Sequence, residues 1–396
     1  AEAIAAVSLV YPINLILWTV MGGGVGSGVS SAIAHALGAG REEEAAAIAE
    51  HAFLLTAIVG VLFTVGMLAG GPAIYRALGG DGETLALAIR FASILFAGSL
   101  ITFTISTLDA IFRGQGNVRV PTICSTLSLG MQIALTPLFM FAFGWGIAGA
   151  AAAAIVGQAI GGVPRAIYLA LGRGAVRPGL LPRRPSLGPM TDILRVGIPA
   201  SIATLVNYVG LLALTAVVGR HGTNEIAAFG LGTRLDFIVM TIAFGTGSAV
   251  LTLTGLAAGA GDTSRVRAVT LRGLGLVTSI LLVVSLVLYV RPDVWLGLFT
   301  DDAAILAAGR TYLRTLAPSY PFLGAAMILS FAFQGLRRAI LPLVVMSVRV
   351  TAVVAAALFA SAAGAPVATV FAIMAGGNVL SSALLYWRLH TVLEAA

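Results

Sequence analysis

Lysine is absent from the chain, and charge of either sign is scarce. All 23 basic residues are Arg, 16 residues are acidic, and only 10% of positions are charged, against about 25% in an ordinary soluble domain. With 59% hydrophobic residues and a mean hydropathy of +1.01, a soluble globular fold is excluded. Cysteine is equally rare. The one Cys, Cys124, lies in an apolar run, which excludes an intramolecular disulfide and any cysteine-based zinc site. His35, His51, His221 and His390 are scattered without metal-ligand spacing, and neither a Gly-x-x-x-x-Gly-Lys phosphate loop nor a Ser-containing nucleophile elbow occurs. No metal site, no cofactor and no enzymatic activity are therefore expected. Without a phosphate loop, energy for any work must come from an ion gradient or a separate protein. Exclusive use of Arg, with 48 Gly and abundant Ala, points to a GC-rich bacterial coding bias.

What the chain does have is length of apolar sequence. A helix needs about 20 mostly apolar residues to cross a bilayer, and eleven such stretches are present, near 5–35, 46–70, 85–112, 121–143, 147–171, 192–219, 225–257, 267–290, 303–334, 341–361 and 367–391. The expected fold is an all-α integral membrane protein. The stretches 5–35 and 225–257 are long enough to project or bend, and the glycines at 22, 23, 24, 26 and 28 mark one possible bend.

The stretches come in two sets. Gly26-Ser27 and Gly38-Ala39-Gly40 recur as Gly247-Ser248 and Gly259-Ala260-Gly261, while Phe112, Gly114 and Pro121 recur as Phe333, Gly335 and Pro342, every pair being 221 residues apart. Ile4-Ala5-Ala6 matches Ile226-Ala227-Ala228 at 222, so one residue has been gained or lost in between. So long a period excludes short solenoid repeats and leaves two copies of one multi-helix unit. The expected division is an N-terminal lobe of five visible helices at 1–172, a Pro-rich linker at 173–191, and a C-terminal lobe of six helices at 192–396. Subtracting the period from 192–219 puts the first unit's opening helix before residue 1. With Ala as first residue and no signal-peptide pattern, the sequence is expected to begin inside a longer chain.

Arginine asymmetry sets the orientation. Arg41, Arg113, Arg119, Arg165, Arg173, Arg177, Arg183, Arg184, Arg195, Arg265, Arg267, Arg272, Arg337, Arg338 and Arg388 fall on one side, which is expected to be cytoplasmic; the other side holds Arg76, Arg90, Arg220, Arg291, Arg310 and Arg314 among several Asp and Glu residues. The net charge of +7 then sits beside anionic lipid and calls for no nucleic-acid partner.

Leu37-Gly38-Ala39-Gly40-Arg41, Ala258-Gly259-Ala260-Gly261-Asp262, the run Phe112-Arg113-Gly114-Gln115-Gly116-Asn117 with Pro121, and Gly146-Ile147-Ala148-Gly149-Ala150-Ala151 occur in an order and spacing that resemble the multidrug and toxic compound extrusion (MATE) transporters over essentially the whole chain. The resemblance implies two six-helix lobes related by a pseudo-two-fold axis, twelve helices of which the first is not visible here, and a central cavity. It also implies export of organic, often cationic, small molecules in exchange for Na⁺ or H⁺ by alternating access, from a monomer in the bacterial inner membrane. Two departures stand out. Many relatives have Gln three residues before the Gly-Ala-Gly turn, where this chain has His35 and Leu256. One branch has carboxylates on its seventh and tenth helices, where Asn207 and Leu323 stand here.

Ionisable groups inside a span cost roughly 3 kcal/mol each, so each is first read as a functional candidate. Asp109, four residues before Arg113, has the spacing of a helical acid–base pair and is read as a structural or gating salt bridge. Counted from residue 225, Arg234 and Asp236 lie about 14 and 17 Å inside the outer boundary and on different helix faces. Arg349 reaches a depth like that of Asp236, so an Asp236–Arg349 pair is geometrically possible. Arg234, Asp236 and Arg349 are either a packed polar core or the groups for cation coupling and substrate binding. The amides Asn14, Asn207, Gln132, Gln158, Gln334 and Asn378 could line a wet cavity or join helices. Trp18, Tyr11, Tyr208, Phe237 and Phe244 could face a cationic substrate or lipid. Pro12 and Pro199 could unwind or kink a helix. The alternative activity is flipping of lipid-linked oligosaccharide precursors, which would call for several arginines around a diphosphate. A non-transporting membrane subunit is a third reading.

Overall fold

A computed structural model describes residues 2–179, 182 and 185–394; Arg183 and Arg184, counted above on the cytoplasmic side, lie outside the described residues, as does the side chain of Trp18. The described residues are mostly helical and include no strand. By internal contacts the chain divides into Ala1–Ser201 and Ile202–Ala396. That division falls within one helix rather than in the Pro-rich segment.

The first unit contains α1 (Glu2–Thr19), a π-helical segment at Val20–Val25, α2 (Gly26–Gly38), α3 (Glu42–Ala77), α4 (Gly82–Ala97), α5 (Ser99–Gly114), α6 (Arg119–Pro137), α7 (Ile147–Ala170) and the first half of α8 (Leu187–Gly219). The second contains the rest of α8, α9 (Thr223–Gly259), α10 (Thr263–Val290), the short α11 (Asp293–Leu296), α12 (Ala303–Leu316), α13 (Tyr320–Gly335), α14 (Ile340–Ala362) and α15 (Val367–Glu394). Nine helical stretches among the described residues are long and apolar enough to cross a membrane, and α4 with α5, bent by 44° at Gly98, makes a tenth. The remaining expected span, 5–35, is α1, the π segment and α2 in succession.

Element boundaries repeat at the sequence period. Gly38 and Gly259 end α2 and α9, Glu42 and Thr263 begin α3 and α10, Gly114 and Gly335 end α5 and α13, and Arg119 and Ile340 begin α6 and α14. Gly40 and Gly261 both adopt φ +73°, the left-handed conformation that closes a helix, and Gly116 (φ +78°) is matched by Arg337 (φ +59°). The break at Gly98 has its counterpart in the 3-10 turn Ala317–Ser319.

The one-residue discrepancy between 221 and 222 also has a structural cause. A π turn closes i→i+5 bonds and so takes up one more residue than an α turn. Val20–Val25 is π-helical, whereas α9 runs without interruption from Thr223 to Gly259. Residues before the π segment therefore match at 222 and those after it at 221.

Lipid tails are as apolar as the side chains they meet, so close packing rather than exclusion from water decides how such helices associate. Gly114 brings α5 onto α2: a Cβ there would lie 3.0 Å from the Ser30 carbonyl oxygen and 2.9 Å from Ile33 Cβ. Its repeat partner Gly335 brings α13 still closer to α9, where a Cβ would stand 2.6 Å from the Leu251 carbonyl oxygen and against Thr254 Oγ1. Around these crossings lie Val29, Ile33, Ile48, Ile111 and Phe112 in the first unit, and Ala326, Leu329, Phe333 and Leu385 in the second.

Candidate functional site

In the second unit α9 presents Asp236 to α12 and α13. Tyr312 Oη donates to Asp236 Oδ2 and Tyr320 Oη to Oδ1, each at 2.7 Å. Both tyrosines are fully buried. Gly232, one turn before Asp236, makes room for the Tyr312 ring, since a Cβ at Gly232 would collide with it. Phe229 and Phe371 hold that ring edge-on, with centroids 5.7 and 4.9 Å away. The carboxylate is thus held by neutral donors on a rigid support.

Arg349 on α14 does not join it. Its Nη1 donates to Asn378 Oδ1 at 2.8 Å and its Nη2 to Asn207 Oδ1 at 3.1 Å, joining α14 to α15 and α8. Asn378 Nδ2 donates onward to Ser319 Oγ at 3.0 Å. The Asp236–Arg349 pair considered on depth alone is therefore replaced by two separate networks. Depth measured along a helix says nothing of the direction in which a side chain points.

Arg234 departs further from the sequence expectation. It is exposed and lies over the Phe299 ring at 5.5 Å, while Trp295 Nε1 donates to the Leu231 carbonyl of the same helix stretch. This part of α9 is level with the connection between α10 and α12, so counting from residue 225 placed Arg234 too deep. A 37-residue helix is about 55 Å long, well beyond a hydrocarbon core of about 30 Å.

The first unit pairs its charges. Arg165, only 1% exposed, donates from Nε to Asp109 Oδ1 at 2.7 Å, from Nη1 to the Gly161 carbonyl at 2.8 Å, and from Nη2 to Ser125 Oγ at 2.6 Å and the Pro121 carbonyl at 3.2 Å. Asp109 thus hydrogen-bonds with Arg165 across α5 and α7, and Arg113 along α5 stands near enough to act on it as a second positive charge. Arg113 also comes close to α2, its Nη2 lying 3.2 Å from where a Cβ on Gly26 would be. Arg165, counted among the loop arginines, is an interior residue that binds α5, α6 and α7 together.

A cavity of about 220 Å³ opens in the same unit, lined by Asn14, Gln132, Gln158 and Ser99 together with the rings of Phe63, Phe96 and Phe103. Asn14 is the repeat partner of Asp236 at 222, and Ser99 that of Tyr320 at 221. Tyr11 and Phe237 are exposed, and Phe244 stacks edge-on against Phe331. The aromatic lining of the cavity therefore comes from other residues than those singled out by sequence. Pro12 and Pro199 lie inside continuous helices. Tyr312, Tyr320, Ser99 and the Phe side chains were missed, although comparing polar residues at the repeat spacing would have drawn Ser99 and Tyr320 together with Asn14 and Asp236.

Duplicated helical units with ionisable groups held inside apolar spans define an integral membrane protein built from an internal repeat. A family model described as MatE matches residues 1–138 and 199–360, and the chain belongs to that family. It is 29% identical over 244 residues to the probable multidrug resistance protein YpnP of Bacillus subtilis, a match covering 62% of this chain and 54% of that one, so the matched part spans about half of YpnP. It is 25% identical over 323 residues to the probable multidrug resistance protein NorM of Thermotoga maritima, covering 80% and 69%. A solved MOP superfamily transporter from Pyrococcus furiosus aligns with a TM-score of 0.93 at 27% identity, over 100% of this chain and 89% of that chain.

Proposed function

We propose that the protein exports small organic compounds across the bacterial inner membrane in exchange for Na⁺ or H⁺, by alternating access of two lobes joined through the 173–191 linker, and that it works as a monomer. Its relatives carry multidrug-resistance names. The observation that carries the coupling part is Asp236: a carboxylate in an apolar helix whose only partners among the described residues are two neutral hydroxyls. A carboxylate so placed can be neutral when protonated and charged when a cation reaches it, and a difference in affinity between lobe arrangements is what lets a gradient bias them. The first unit's cavity, with three aromatic rings and neutral amides, suits a flat organic cation through its ring faces. Asn14 and Gln132 orient the ligand there, while Asn207 holds Arg349 in place.

The flippase alternative is less well supported. It asks for several arginines that converge on a diphosphate, whereas Arg234 lies over Phe299 and Arg349 belongs to a separate network with Asn207 and Asn378. Ethidium efflux from cells making the full-length protein, with the Na⁺ and H⁺ gradients collapsed separately, tests the proposal. Export should stop when one of the two gradients is removed, and export that survives loss of both would refute gradient coupling.

A further inference from the structure

Arg349 is the tenth residue of Ile340–Ala362, about 14 Å along α14. Asn207 lies twelve residues before the end of α8 and Asn378 eleven after the start of α15, about 18 and 17 Å from those ends. All three side chains are therefore near mid-depth. A guanidinium has five N–H donors. Two are engaged by the amides, and the other three have no protein acceptor among the described residues. None of the salt bridges among those residues involves Arg349, and the side chain is only partly buried.

A cation at mid-depth is too costly to leave against lipid, so its accessible edge belongs on a wet surface. The amides fix the orientation of the guanidinium plane, and Asn378 is itself fixed by Ser319. The arginine stem lies along α15 beside Gly377, where a Cβ would meet Arg349 Cγ at an ordinary contact distance of 3.5 Å but would collide with Val353 Cγ2 at 2.5 Å. The repeat partner of Arg349 is Ser128, so the shared scaffold does not require a cation at this position. A planar fork of free N–H groups matches a carboxylate in geometry and charge.

We infer that Arg349, held in place by Asn207 and Asn378, is the residue of the second unit that binds the carboxylate of an organic acid or zwitterion. The inference rests on the exporter reading for what the ligand is used for, but its test needs no gradient. Rhodamine 110 and its methyl ester, rhodamine 123, differ by one free carboxylate, and their binding to the full-length protein in nanodiscs can be followed by fluorescence anisotropy. Arg349→Gln should weaken rhodamine 110 about tenfold or more and leave rhodamine 123 within about twofold, and Arg349→Lys should restore much of the loss. Equal effects on the two dyes, or none on rhodamine 110, would overturn the inference. In the unmodified protein, 2-naphthoate should displace rhodamine 110 at concentrations about tenfold below those of 2-naphthamide; equal displacement would overturn it even if the variants fail to fold. Loss of gradient-driven efflux with these binding results intact would count against the exporter reading alone.

Discussion

In the first unit Arg165 and Asp109 meet at 2.7 Å, and the rest of the guanidinium is taken up by two carbonyls and a hydroxyl. In the second unit Asp236 and Arg349 are bound by uncharged partners, two phenols for one and two amides for the other. The difference separates two uses of charge within one duplicated scaffold. A buried ion pair with its donors engaged resists change, because removing either member strands the other. A charge held by neutral groups can gain a proton, a cation or a counter-ion without breaking such a pair.

The largest effect on stability should come from breaking the pair in the first unit. Asp109→Asn should cost about 3 kcal/mol or more, because Arg165 would be left buried without a counter-charge. Replacing both residues by apolar ones of similar size, Asp109→Leu with Arg165→Met, should cost less than the single change, as read by thermal unfolding in detergent. A double variant less stable than Asp109→Asn would mean that the pair contributes net stability rather than constraint.

Next come the helix crossings. Gly335→Ala and Gly114→Ala both overpack, at about 1–3 kcal/mol, and the second-unit change should be the worse because its backbone approach is 2.6 Å against 3.0 Å. Equal losses in unfolding temperature would show that the two crossings relax alike. The smallest effect belongs to the start of α10. Asp262 accepts from Ser264 Oγ at 2.7 Å and from the Arg265 N–H at 2.9 Å, which together hold its carboxyl below the ordinary range, the Ser264 bond being the larger cause. Since the folded value is depressed, the contribution of this cap is present above the ordinary carboxylate range and lost as pH falls through the depressed value. Asp262→Ala should therefore be slightly less stable than the parent at neutral pH and converge with it in acid. Arg41, at the matching position, makes no such cap and instead pairs with Glu44 at 2.6 Å.

Much of the fold was legible in the sequence because both of its signals are one-dimensional. Apolar runs of membrane length gave the helices, and identical Gly and Pro positions gave the duplication. The gain or loss of one residue was legible too, but its form was not: only the backbone shows that the π segment at Val20–Val25 takes up the extra residue. Partners of the charged residues were largely hidden. Asp109 and Arg113 have the right spacing on one helix, yet it is Arg165, 56 residues away, that bonds to the carboxylate. Arg234 was placed too deep because the length by which α9 overshoots the bilayer cannot be read from its composition. Asp236 stood out as an apolar-helix carboxylate, while Tyr312 and Tyr320 did not, since nothing about a tyrosine in such a helix says where its hydroxyl points.

The claim that the second unit carries the switchable charge and the first a fixed one is tested most directly by efflux measured per folded molecule. Ethidium transport driven by an imposed gradient should be compared in vesicles containing equal amounts of folded parent, Asp236→Asn and Asp109→Asn. The account predicts that Asp236→Asn, whose amide can still bond to Tyr312 and Tyr320, folds like the parent and loses gradient-driven efflux by about tenfold or more, a difference of about 1.4 kcal/mol in the driving step. Asp109→Asn should yield less folded protein but retain transport per molecule. Parent-like transport by Asp236→Asn, or loss confined to Asp109→Asn, would contradict it.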